Sequence, residues 1–163
     1  MTVIRHAQIR DLPSILEIYN QGILDRIATL EEEPKDLEYM KGWFEGRSSR
    51  YAVLVLEIDP GEIGGWASLN PYSHRCAYSG VADLSIYIRR DLRGKGFGSA
   101  LLSELERVAR TNGFHKIVLM TFPFNPAGQG LYRKMNYRCV GVFQNQGKLD
   151  NRFVDVMAME KLL

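Results

Sequence analysis

The stretch RRDLRGKGFGSALL (89–102) sets three glycines, Gly94, Gly96 and Gly98, within five residues, with Arg93 before them and Lys95 among them. Without Cβ atoms, a glycine turn can press backbone N–H groups against a bulky anion. A helix opening near Gly96 and Phe97, with Ser99 in its first turn, adds unpaired N–H groups and a positive dipole end. The chemistry on offer is phosphate binding. A basic surface turn is the alternative this stretch alone leaves open. Two familiar phosphate loops do not fit. In GxxxxGK[ST] the lysine precedes Ser or Thr, whereas Lys95 precedes Gly96; GxGxxG needs a third glycine where Leu101 stands.

Other reactive types exclude more than they indicate. His6, His74 and His115 are scattered, and none stands at metal-ligand spacing or beside a hydrolase-type Ser or Cys, so no metal is expected. Cys76 and Cys139 lie far apart and read as free thiols of a reducing cytoplasm. The formal charge of +2 is too near neutral for a nucleic-acid binder. No apolar run reaches the ~20 residues of a membrane span, and MTVIRHAQIRDL lacks a signal-peptide core.

These residues must be held by a packed frame. A length of 163 residues and a 45% hydrophobic content suit one domain over 1–163. Strands are expected near 2–5, 51–58, 63–70, 81–90, 116–122, 137–144 and 152–160. Asp11 reads as the N-cap of a first helix carrying Ile15, Leu16, Ile18, Tyr19, Ile23 and Leu24, broken by TLEEEP (29–34). Further helices are expected near 35–44, from Phe97 to the NG at 112–113, and at 125–135. Residues 71–80 read as a polar loop. This order predicts an α/β (α+β) sandwich with a mixed sheet.

Asn125 and Tyr132 are seven residues apart, so on one helix they share a face about 10 Å apart. Read alone, Asn125 is a cap before Pro126, Tyr132 a half-buried aromatic and Lys134 a solvated lysine. Arg93-x-x-Gly96-x-Gly98 and FNPAGQGLYRKMNY (124–137) together resemble the two signatures of the GNAT superfamily of acetyl-CoA-dependent N-acetyltransferases. The first is similar to that family's pyrophosphate loop. The second is similar to its N-x-x-(small)-x-x-L-Y-x-K segment. Within the superfamily, IYNQGI (18–23), EEP (32–34), RCAY (75–78) and ADLSIYI (82–88) resemble the phosphinothricin and methionine sulfoximine acetyltransferase branch.

The resemblance implies a GNAT fold, with a mixed central sheet of about seven strands and about four helices. It implies acetyl-CoA as cosubstrate, held by Ile86, Tyr87, Ile88, Arg93–Ser99, Asn125 and Lys134. It makes Asp83, one methylene shorter than the branch's Glu, the general base, acting directly or through a water relay unless the base is a changed one, and Tyr132 the acid for the leaving thiolate. It sets Arg75, Tyr78 and Glu33 around a small anionic amine acceptor, and it implies a cytoplasmic homodimer. A forked guanidinium at Arg75 suits a carboxylate or phosphinate. Acetylation of a polyamine, an aminoglycoside or a protein N-terminus stays open, as does a non-catalytic CoA sensor. The bland readings are an ion-paired carboxylate at Asp83 and a solvated arginine at Arg75.

Overall fold

The computed structural model describes residues 1–163. Its centre is a seven-stranded sheet in the order β1-β2-β3-β4-β5-β7-β6. The strands are β1 (Val3–His6), β2 (Val53–Asp59), β3 (Glu62–Pro71), β4 (Val81–Ile88), β5 (Lys116–Thr121), β6 (Arg138–Leu149) and β7 (Arg152–Leu162). All neighbours are antiparallel except β4 and β5. The helices are α1 (Leu12–Asp25), α2 (Leu37–Glu45), α3 (Phe97–Thr111) and α4 (Pro126–Lys134). The expected sandwich of seven strands and four helices is what the chain forms.

VLVL in β2 shows why the sheet is covered on both sides. Alternate strand residues point to opposite faces. Leu54 joins a cluster with Leu101, Leu105, Ile117 and Met159 under α3, while Val53 and Val55 join Ile15, Ile18, Met40 and Trp66 under α1 and α2. Trp66 and Trp43 pack edge to face there, as core residues.

Three local expectations are corrected. Asp11 does not cap α1 with its side chain. Its carboxylate accepts from the Gln8 N–H at 2.7 Å and from both Arg5 Nη atoms at 2.8 and 2.9 Å, closing the short 3-10 turn before α1. Arg26 adopts a left-handed φ of 59° and ends α1 before TLEEEP, leaving Leu24 60% exposed rather than in the core stripe. β6 runs on to Leu149, past the expected end at 144, because the antiparallel hairpin with β7 continues to Leu149↔Arg152.

Candidate active site

The parallel pair β4–β5 builds the site by coming apart. The strands bond only where Val81, Ala82 and Asp83 face Lys116, Ile117 and Val118. Beyond that point each keeps its outer partner, β4 to Gly65↔Ile88 and β5 to Thr121↔Met157. The inner backbone edge of β4 from Leu84 to Ile88 therefore has no strand to bond, and its polar groups need another partner. A cavity of about 730 Å³ opens there and reaches from the glycine turn to Asp83 and Tyr132.

At the outer end Gly94 and Gly96 have φ of 75° and 86°, a region costly for residues with a Cβ. A Cβ built on either would meet no atom within 4 Å, so the space before the turn is open. Gly96 precedes α3, and no side chain caps that helix. Its first-turn N–H groups are therefore left for an anion, and the turn fits a pyrophosphate. Arg93, Gly94, Gly96, Phe97, Gly98 and Ser99 line the cavity. Lys95 is exposed and does not line it. Arg93 donates to the Ile88 carbonyl at 3.1 Å and to Asp25 at 2.6 Å, and Arg90 takes the other Asp25 oxygen at 2.6 Å. Burial raises the Asp25 carboxyl, but the two arginines outweigh it and hold the group below its ordinary value.

Ile86, Tyr87 and Ile88 line the walls. Ile86 and Ile88 pack on the α3 side, while Tyr87 points the other way and stacks on Trp66 at 5.1 Å. At the inner end Asp83 is half-buried, and burial pushes its carboxyl up to about 6, against the lowering pull of Asn70 and the Leu84 N–H. Tyr132, on α4, is buried, and both burial and the Asp83 charge push its phenol up. A raised carboxyl and a phenol that stays protonated thus share one cavity, and two groups driven apart in this way suit a base and an acid. Asn125 caps α4, its Oδ1 accepting from the Gly128 N–H at 3.1 Å, and also lines the cavity with Lys134.

Residues 13–137 match the sequence profile of the acetyltransferase (GNAT) family. The chain belongs to that family. The acetyltransferase is 35% identical to an L-methionine sulfoximine/L-methionine sulfone acetyltransferase of Pseudomonas paraeruginosa, over 96% of this chain and 92% of the relative. It superposes on a GNAT superfamily phosphinothricin acetyltransferase from Sinorhizobium meliloti, solved in complex with AcCoA, with a TM-score of 0.92. That match has 31% identity and covers 99% of this chain and 88% of the other. A ribosomal-protein-alanine N-acetyltransferase from Brucella melitensis superposes with a TM-score of 0.94 at 33% identity, covering 99% of each chain.

Besides Lys95, the three acceptor-side residues singled out in the acetyltransferase sequence lie outside the cavity lining: Arg75, Tyr78 and Glu33. Arg75 is exposed just before the 3-10 turn Cys76–Tyr78, and the Tyr78 ring meets Tyr72 at 6.1 Å. Glu33 is exposed between α1 and α2. Asp25 and the segment from Ile27 to Leu30 do line the cavity, although no motif in the sequence marks them. Arg26 turns away from the lining and pairs with Asp150 at 3.1 Å. No group of three His, Cys, Asp or Glu side chains is arranged to hold a metal, and no helix is long and apolar enough to cross a membrane.

Proposed function

We propose that this acetyltransferase moves the acetyl group of acetyl-CoA directly to the α-amine of a small, anionic, amino-acid-like acceptor. One observation carries the reading: a single cavity is lined both by the anion turn, at Gly94 and Gly96–Ser99, and by Asp83 and Tyr132. The pyrophosphate lies on Arg93–Ser99, with Lys95 adding charge from the solvent side. The pantetheine follows Ile86–Ile88 and Asn125, and Lys134 attends the phosphates. An α-amine is mostly protonated at neutral pH and must lose a proton before it attacks. Asp83 takes that proton, the nitrogen bonds to the thioester carbonyl carbon, and the C–S bond breaks. Tyr132 protonates the departing thiolate, the nitrogen's second proton passes to the resulting phenolate as the amide forms, and the proton held by Asp83 leaves to solvent, so the products are an amide, a free thiol and the two side chains in their starting states.

The Pseudomonas relative and the Sinorhizobium structure support methionine sulfoximine, methionine sulfone and phosphinothricin as acceptor types. Arg75 is assigned the acceptor's acid groups, with Tyr78 and Glu33 beside it. These three stand outside the cavity of one copy, and the reading therefore includes a homodimer whose subunits close over the acceptor side. The whole chain acts as one domain. Free, exposed Cys76 and Cys139 suit a cytoplasmic setting.

The test is thiol release from acetyl-CoA with a panel of amines: methionine sulfone, methionine sulfoximine, phosphinothricin, spermidine, an aminoglycoside and an alanine-terminated peptide. Release fastest with the amino-acid analogues is expected. Faster release with spermidine, the aminoglycoside or the peptide overturns the acceptor class, and no release with any amine despite CoA binding overturns turnover itself.

A further inference from the structure

Behind Asp83 stands a polar network that the acid–base reading does not use. Asn70 on β3 is the direct cross-strand partner of Asp83. Its Nδ2 donates to Ser85 Oγ at 3.1 Å and to Asp83 Oδ2 at 3.4 Å. Its Oδ1 accepts from Ser68 Oγ at 3.0 Å and from Arg47 Nη2 at 3.3 Å. With two donors on Oδ1, the amide has only one satisfied orientation, and that one turns its NH₂ toward Asp83.

Arg47 is fixed in its turn. Its Nη1 donates to the carbonyls of Tyr51 at 3.0 Å and Leu69 at 3.2 Å, and its guanidinium lies 4.3 Å from the Trp43 ring centre. Its bonding partners are carbonyl oxygens rather than a carboxylate. Ser68 is fully buried. Polar groups placed inside a sheet weaken it unless they are satisfied, and apolar residues would fill these positions at less cost. The network runs in one direction, from Arg47 through Asn70 to the carboxylate at the cavity's inner end.

We infer that Asn70, locked by Arg47 and Ser68, is the positioning residue for Asp83: it anchors Oδ2 and so sets the direction in which the carboxylate meets the acceptor amine. The inference rests on the reading of Asp83 as the base. Its geometry explains why a half-buried carboxylate with no cationic side chain bonded to it keeps a defined orientation. The titratable groups around Asp83 are Tyr132 from α4, Tyr87 on its own strand and Arg47 behind Asn70. β5 faces it with Val118, which does not titrate.

Two measurements test this on the full chain: the Asp83 carboxyl titration followed by carbon NMR, and kcat/KM against pH with acetyl-CoA and L-methionine sulfone. In Asn70→Ala the Asp83 midpoint should rise by at least about 0.5 pH unit, which is roughly a threefold rate loss on the acid limb. Turnover should fall about tenfold or more while KM for acetyl-CoA stays within about twofold, as expected when only proton transfer is disturbed. Asn70→Asp is isosteric and keeps an oxygen for Arg47 and Ser68, so folding is retained. It sets two carboxylates together, and the pair should titrate in two separated steps. Wild-type titration of Asp83 in Asn70→Ala, whatever that variant does to stability, overturns the positioning role. Asp83→Asn separates the two claims. If it keeps wild-type turnover, the base assignment fails and takes the inference with it. If it is inactive while Asn70→Ala titrates and turns over like wild type, only the Asn70 inference fails.

Discussion

Asp83 sets chemistry against stability at a single residue. Its carboxyl ordinarily titrates near 3.9 and is pushed up to about 6 in the fold, chiefly by burial. A raised carboxyl means the folded chain holds its proton more tightly than the unfolded chain does. Stability from this group is therefore fully present below about pH 4 and is lost as pH rises through about 6. A carboxyl lifted from its ordinary value to about 6 corresponds to about 3 kcal/mol at most. Asp83→Asn should be about 1–3 kcal/mol more stable than wild type at pH 7.5 and equal to it near pH 4, by urea unfolding at both pH values. Equal stability at both would mean the carboxyl is not raised. The same variant should lose turnover by about 10²-fold or more. At this scale the sequence told most where spacing is local. The glycines at 94, 96 and 98 and the Asn125–Tyr132 interval were legible because turn and helix geometry follow from a few neighbours. Asn70 and Asp25 were not. Asn70 meets Asp83 through strand register, 13 residues away, and Asp25 meets Arg93 across 68 residues.

Elements are held in place by contacts that their own patterns do not announce. The apolar stripe of α3 was readable, and it does face the sheet through Leu101, Leu105 and Val108. Glu106 on the same helix is only 3% exposed, and no periodicity marks it as buried. It is matched from the other end of the chain. Lys161 on β7 pairs with its Oε1 at 2.6 Å, and the Tyr137 hydroxyl donates to Oε2 at 3.2 Å. Tyr137 packs against Tyr132 at 5.9 Å, so this buried carboxylate fastens α3, β7 and the acid-bearing region together. Lys161→Met keeps the packing volume but leaves Glu106 without its cation. Breaking one side of a buried pair costs about 3–5 kcal/mol, and the remaining Tyr137 bond places this case at the lower end. We expect a loss of about 3 kcal/mol, or a Tm lower by about 6–12 °C for a chain of this size. Adding Glu106→Gln to Lys161→Met should recover most of it. A double variant as unstable as the single would show that the lysine matters for packing rather than charge.

At the scale of the whole molecule the sheet has one unguarded side. β6 is an edge strand in the order β1-β2-β3-β4-β5-β7-β6, and eleven of its twelve residues fall outside the buried core. Val140, Val142 and Phe143 are 45–52% exposed, and Phe153 on the neighbouring strand is 64% exposed. A long apolar edge is a template for pairing with another chain unless it is blunted by charge, bulges or a partner. β6 does carry register shifts, yet its central stretch from Val140 to Phe143 has no charged side chain. A second copy meeting this edge would cover it by twofold symmetry, the commonest arrangement of oligomers. A stable interface needs about 800 Å² from each partner, so the neighbouring β7 surface must take part with β6. The expected outcome is a dimer by sedimentation equilibrium at micromolar concentration, converted to a monomer by Val142→Glu with Phe143→Lys. Because those two side chains are exposed, the monomer should still unfold cooperatively, below the wild-type temperature by what dimerisation contributed and at a temperature independent of protein concentration. If the dimer also closes the acceptor side, the monomeric variant should keep CoA affinity and lose acceptor affinity. A wild-type protein that sediments as a monomer would return Arg75 to the role of a solvated loop residue.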